Sequence, residues 1–208
     1  LFLNQIPKFL LVLEQNKGYN IRMFRNAYSR FFPTPKFLEL PSFGLDISDE
    51  SIKFIELVRT KDGIRVNRFG ERKIPPGIIE SGKIKDPKQM EEILVSLRKE
   101  EGLKSVRVSL PEEQVYLFNL KLEKAGLENV REGIELSLEE YIPIPAQDAI
   151  FDYELLSEDE QSLKLQVAAI PKNVIEDYLS IFKNSMISGK SFELEAQAIS
   201  RCVIKKGD

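Results

Sequence analysis

At 208 residues, with 42% apolar and 30% charged side chains, the chain has the composition of an ordinary folded protein, one large domain or two small ones. Its net charge of −3 argues against a protein whose main work is gripping nucleic acid. The complete absence of histidine excludes Ser-His-Asp and Cys-His catalysis and leaves a zinc site only unusual ligands.

Residues 1–13 are apolar but interrupted by Asn4, Gln5, Pro7 and Lys8, too short a run to span a bilayer, and no small-residue cleavage site follows. The chain starts at Leu1, and Met23 opens a stretch that reads as a natural start, so residues 1–22 are expected to be foreign to the native chain and 1–40 to form an extension. Residues 24–40 interleave Phe24, Tyr28, Phe31, Phe32, Phe37 and Leu38 with Arg25, Arg30 and Lys36. That pattern fits a short basic foot at a membrane interface, and fits as well a tail packing its aromatics on the domain behind it.

Residues 44–57 are the most informative stretch. Leu45 and Ile47 alternate with Gly44 and Asp46, the polar run Ser48, Asp49, Glu50, Ser51 follows, and Ile52, Phe54, Ile55 and Leu57 resume the apolar pattern. Two strands joined by a tight polar turn are predicted. A carboxylate before the turn (Asp46), hydroxyls within it (Ser48, Ser51) and an amine beyond it (Lys53) are the groups a metal-bound polyphosphate needs; an ordinary solvated hairpin tip has the same pattern.

Alternation over 63–70 predicts a third strand, turned at Asp62-Gly63, and Pro75-Pro76-Gly77 ends that unit. Asp86 as N-cap and Pro87 open a helix with Met90, Ile93, Leu94 and Leu97 on one face, stopping near Gly102. A strand over 105–110 comes next. Strand 115–122, helix 131–141, strand 149–156 and strand 163–170 then form a compact unit, followed by a helix opened by Pro171 with an apolar stripe through Val174, Tyr178 and Phe182. A brief strand at 191–194 leads into a helix from Glu195. Cys202, alone and therefore without an internal disulfide, fits a reducing compartment and sits among Ala198, Ile199 and Val203 as an expected buried thiol. The abrupt stop at Gly207-Asp208 reads as a chain that continues.

In order and spacing, four stretches of this sequence resemble the PilM family of type IV pilus assembly proteins, relatives of the division protein FtsA among the actin-like ATPases. They are residues 44–57; Tyr141 to Pro145 with Phe151 to Glu154; Val167 to Ile170; and Phe192 to Arg201. The resemblance implies an α/β fold: an actin-like, ribonuclease-H-type lobe, incomplete here, from residues 41–80 and 187–208, with an inserted accessory subdomain over 81–186 that contains the strand-helix-strand-strand unit. It implies ATP and Mg²⁺ as cofactors of the whole protein, with Asp46 on the Mg²⁺ side and Ser48, Asp49, Ser51 and Lys53 around the phosphates. Glu195 is placed near the attacking water, with Gln197 two residues on as the alternative. Ser48 stands where the family usually has glycine, and Asp49 and Glu50 where small hydroxyl residues are common, a charge pattern that opposes a polyphosphate unless Mg²⁺ intervenes.

The family's role implies a scaffold at the inner face of the cytoplasmic membrane, docking the tail of a PilN-like inner-membrane protein. Residues 77–85, 115–122 and 151–156 are the candidate groove walls. Further implied partners are pilus motor and assembly proteins and other copies of the chain, with membrane association through the partner and no nucleic acid. An actin-fold ATPase or kinase, or an FtsA-type division protein, are the alternatives.

Overall fold

A computed structural model describes residues 42–127 and 129–203, apart from the side chains of Gln197, Ser200 and Arg201. The extension over 1–40 lies outside the described residues. Strands β1 (Phe43–Ile47), β2 (Ser51–Thr60) and β3 (Gly63–Lys73) form an antiparallel meander. The second turn consists of Lys61 and Asp62, with Gly63 already paired to Thr60 at φ 126°, one residue earlier than the Asp62-Gly63 turn the sequence suggests. A two-residue hairpin, β4 (Ile79–Glu80) and β5 (Lys83–Ile84), follows.

Helix α1 (Pro87–Glu101) is capped at both ends as its sequence dictates. Asp86 accepts the Gln89 N–H at 3.0 Å, Pro87 stands at the first turn where no N–H is needed, and Gly102 closes the far end in the left-handed region at φ 75°. Strand β6 (Ser105–Leu110) then inserts beside β1, parallel to it. Much later β10 (Ser188–Leu194) pairs parallel to β6. The sheet order is β10-β6-β1-β2-β3, an antiparallel meander continued on its β1 side by two strands parallel to β1, the arrangement of a ribonuclease-H-type, actin-like lobe.

Between β6 and the next helix of the lobe, the chain builds a second sheet, in order β7-β9-β8: β7 (Tyr116–Glu123), β8 (Ala149–Glu158) and β9 (Ser162–Pro171). Helix α2 (Val130–Tyr141) lies over one face of it, burying Ile134 and Leu138 against Leu120, Phe151, Leu165 and Val167. Helix α3 (Lys172–Asn184) returns the chain to the lobe, and α4 (Glu195–Val203) follows β10.

The inserted unit is therefore narrower than residues 81–186. Residues 79–110 and α3 belong to the lobe: Ile79, Ile84, Met90, Leu94, Val106, Val108, Tyr178 and Phe182 share one core with Phe43, Leu45, Ile47 and Ile52. The physical reason is pairing: β6 supplies the parallel neighbour of β1 and so cannot leave the sheet. Strand β9 stitches the two units together. Val167 and Ala169 point into the small core, while Ile170 packs in the large one and Ala168 meets Leu194, so the continuous apolar run over 167–170 reflects burial on both faces.

Cys202 corrects another expectation, being exposed. Ile199 and Val203 on the same helix are exposed too, so the apolar side of α4 has little of the described chain against it.

Candidate functional site at the strand ends

The carboxyl ends of β1, β6 and β10 converge on one rim of the large sheet, the place where open α/β sheets with parallel strands bind ligands. Register alone puts four polar residues in a row across it. Lys53 of β2 stands opposite Asp46 of β1, Asp46 opposite Ser109 of β6, and Ser109 opposite Glu193 of β10. Residues directly opposite one another share a face. In the adjacent register lines, Leu45 pairs with Val108 and Val108 with Phe192; these point to the other face and form the core under α1 and α3.

Glu195, the first residue of α4, joins this rim immediately after β10. Its carboxyl is pushed above the ordinary carboxylate value, first by partial burial and then by the negative charges of Asp46, Glu112 and Glu113, with Lys53 opposing. Glu112 begins a single 3₁₀ turn after β6 and accepts the Ala196 N–H at 2.9 Å, so a side chain of the protein already serves one donor at the start of α4.

Asp46 and Lys53 stand opposite each other, and both are near enough to Glu195 to act on its charge. The structure distributes the turn residues differently. Ser48 and Ser51 close the hairpin on themselves: Ser48 N donates to the Ser51 carbonyl at 2.9 Å, Ser48 Oγ donates to the same oxygen at 3.2 Å, and Ser51 N donates to Ser48 Oγ at 3.2 Å. Asp49 faces neither rim nor solvent with free oxygens; Oδ2 accepts Ser81 N at 2.7 Å and Oδ1 accepts Gly82 N at 3.0 Å. Ser81 and Gly82 both have positive φ, 49° and 73°, as a two-residue type I′ hairpin requires, and their successive N–H groups form the concave anion site that the carboxylate fills. Asp49 thus ties two hairpins together instead of facing a phosphate. The side chain of Gln197 lies outside the described residues.

Sequence reasoning missed Ser109, Glu112 and Glu113. Ser109 Oγ is buried and has no hydrogen-bond partner among the described residues, directly beside Asp46. A small hydroxyl at the end of an otherwise apolar strand was the available signal, but only pairing with β1 gives it a neighbour.

A magnesium-bound nucleotide, which the actin-like fold implies, is met in part by these groups. Carboxylate and hydroxyl oxygens (Asp46, Ser109) suit a hard cation that keeps most of its water shell, and Lys53 suits a phosphate. Among the described residues no three acidic, histidine or cysteine side chains are grouped to hold a metal unaided, so ligand oxygens and water would have to complete any coordination. The turn itself, with its serines satisfied and Asp49 engaged, offers a phosphate less than its sequence suggests.

A second feature lies where lobe and inserted unit meet. Leu110, Val115, Ile170, Phe192 and Leu194 line a small apolar cleft beside β10, which is an edge strand of the large sheet. Of the expected groove walls, β7 and β8 stand on either side of β9, whereas residues 78, 79 and 84 are buried in the lobe core.

Comparison with known proteins agrees with this architecture. Residues 44–206 match the family described as type IV pilus assembly protein PilM. Among solved structures, the chain is similar to one titled PilM-PilN type IV pilus biogenesis complex, at 19% identity and a TM-score of 0.66, covering 76% of this chain and 48% of that one. It also matches the cytoplasmic domain of EpsL, an inner-membrane component of the type II secretion system of Vibrio cholerae, at 14% identity and a TM-score of 0.49, covering 74% and 56%. The chain thus spans about half the length of the PilM structure.

Proposed function

The chain belongs to the PilM family of type IV pilus assembly proteins, and on that premise we propose that it is the first lobe of a cytoplasmic scaffold that docks the tail of a PilN-like inner-membrane protein. The observation that carries this reading is the junction of the two sheets. A small apolar pocket lined by Val115, Ile170 and Leu194 lies at the end of β10, whose outer edge is unpaired in the described sheet. An extended peptide can add to such an edge, since its backbone hydrogen bonds lengthen the sheet. The solved complex of similar fold contains PilN by its title, which supports the choice of partner. The test is hydrogen exchange with a synthetic peptide from the N-terminal tail of a PilN-like protein. Protection is expected over 115–122 and 188–194, and no change there removes the docking reading.

The acidic rim favours a second role for the same lobe, the metal-side half of an ATP site in the whole protein. Bound Mg²⁺ would supply charge neutralisation of the phosphates. Asp46 would orient the metal's water, Lys53 would face a phosphate, and Glu195, partly desolvated, would hold a proton-accepting oxygen near the rim. Calorimetry of the whole protein with ATP and Mg²⁺ tests this: Asp46→Ala and Lys53→Ala should each weaken binding, and unchanged titrations for both would leave the rim without a nucleotide role.

A further inference from the structure

The inserted unit is joined to the lobe by two crossings of the chain that lie side by side. Residues 111–115 lead out of β6 and Pro171 leads back into α3, and because Tyr116 is paired with Ala169, the outgoing and returning chains leave the lobe at the same point. Apolar contact between the units is confined to this neighbourhood. Val115, Ile150 and Ile170 pack on the large core and Ala168 meets Leu194, whereas α2 and the sheet beneath it have a core of their own. Adjacent crossings and a contact of a few side chains are the geometry of a hinge, in which one body rotates against the other unless something holds it.

Polar side chains hold it here. The outgoing crossing contains a single 3₁₀ turn, Glu112–Gln114, from which two side chains reach back to the lobe. Gln114 Nε2 donates to the Ser81 carbonyl at 2.6 Å, and Glu112 Oε1 accepts the Ala196 N–H at 2.9 Å. The lobe side of the first bond is itself firmly placed. Asp49 takes both N–H groups of the Ser81–Gly82 turn, and the Gly82 carbonyl accepts the buried Tyr178 hydroxyl of α3. The crossing is thus fastened to a turn that the β1–β2 hairpin and α3 both fix.

The apolar pocket lies inside this junction. Leu110 and Leu194 of the lobe, with Val115 and Ile170 at the two crossings, line a cavity of about 10 Å³, room for one water molecule and for no side chain. Its walls belong to both units, so rotation about the crossings is the movement that widens it.

We propose that the bonds made by Gln114 and Glu112 form a clamp that holds the inserted unit closed against the lobe, and that their release lets the unit swing about residues 111–115 and bares the walls of the pocket. Neither residue lines the pocket; both act by fixing the crossing. The swing needs neither a bound tail nor a nucleotide, so it is measurable apart from the functions proposed above.

The experiment is the rate at which a buried thiol reacts with dithionitrobenzoate. In the 208-residue protein, Cys202→Ser removes the exposed native cysteine, and Ala168→Cys places a reporter at a side chain that is 2% exposed against Leu194. Leu194→Cys replaces it should that protein not fold. Val106→Cys, in the lobe core, reports opening of the lobe itself. The Ala168→Cys thiol should react far more slowly than native Cys202, and Gln114→Ala and Glu112→Ala should each raise its rate by about fivefold, the effect of one net hydrogen bond, with the Val106→Cys rate unchanged. Glu112→Gln, which keeps an acceptor for the Ala196 N–H, should restore the slow rate. Equal rates with and without the clamp side chains would overturn the proposal. So would a parallel rise at Val106→Cys, which means general loosening of the lobe, a Glu112→Gln protein as fast as Glu112→Ala, which traces the effect to charge, or an Ala168→Cys thiol that already reacts as fast as Cys202.

Discussion

Asp49 and Gly82 are 33 residues apart in sequence and joined by a 3.0 Å hydrogen bond from the Gly82 N–H to the Asp49 carboxylate, whose other oxygen takes the Ser81 N–H at 2.7 Å. The same small turn also accepts two hydrogen bonds: Gln114 Nε2 donates to the Ser81 carbonyl at 2.6 Å, and the buried Tyr178 hydroxyl donates to the Gly82 carbonyl at 3.1 Å. Gly82 is fixed here for a further reason, since a Cβ would come within 3.0 Å of Pro111. Asp49→Ala should therefore destabilise the lobe by about 1–2 kcal/mol, the range of a charge-assisted hydrogen bond at a half-exposed site. Chemical denaturation checks it; wild-type stability in Asp49→Ala would show that the tie between the hairpins is idle.

Glu56 gives a pH signature. It is buried on β2 and accepts Arg68 Nε at 2.8 Å and Asn67 Nδ2 at 2.5 Å, while Arg68 also lies over the Phe43 ring and donates to the Glu101 carbonyl at the end of α1. The Arg68 hydrogen bond, helped by Asn67 and opposed by burial, holds the carboxyl below its ordinary 4.5. A lowered folded-state value stabilises above the unfolded value and is lost as pH falls through the folded one. Glu56→Gln should accordingly be less stable than wild type near neutrality, by about 1 kcal/mol given the half-exposed arginine, with the gap closing below pH 4.5. Thermal melts across that range decide it, and a gap of constant size would refute the ion-pair account.

Glu195 has the opposite sign. Its carboxyl is raised above 4.5 by burial first and by Asp46, Glu112 and Glu113 next. Between the ordinary and the raised value the folded protein keeps a proton that the unfolded chain has released, so stability declines as pH rises through that window. The stability of Glu195→Gln relative to wild type should thus become more favourable as pH rises above 4.5. Parallel pH profiles for the two proteins would mean that the acidic rim does not crowd this residue.

Leu138 tests whether the inserted unit has a core of its own. It is fully buried among Leu120, Ile134, Leu165 and Val167, residues that form a cluster separate from the lobe core. Leu138→Ala should cost about 2–5 kcal/mol within that unit. Exchange protection should fall across β7, β8 and β9 and persist in β1, β2 and β6. A uniform loss over both sheets would instead make them one cooperative body.

Most elements could be read locally, because their causes are local. The Asp86-Pro87 start and Gly102 stop of α1, the 3.6-residue stripe of α3, and the alternation of β1 and β2 follow from caps, periodicity and turn chemistry that operate over a few residues. Asp46 and Lys53 were legible as a pair for the same reason: a hairpin fixes which residues stand opposite across its turn.

Pairing over long distances decided the rest. Nothing near Ser105 says that β6 will lie beside β1 and hold residues 79–110 in the lobe, and nothing near Ser109 says that its hydroxyl will meet Asp46. The charge of Asp49 was visible in the sequence, but whether it met a ligand or the Ser81-Gly82 turn depended on backbone folded in from 33 residues away. Composition and short-range pattern settle what each segment can be. Which polar groups finish beside one another, and hence what the rim can bind, is settled only when segments distant in the chain compete for the same sheet edges and the same core.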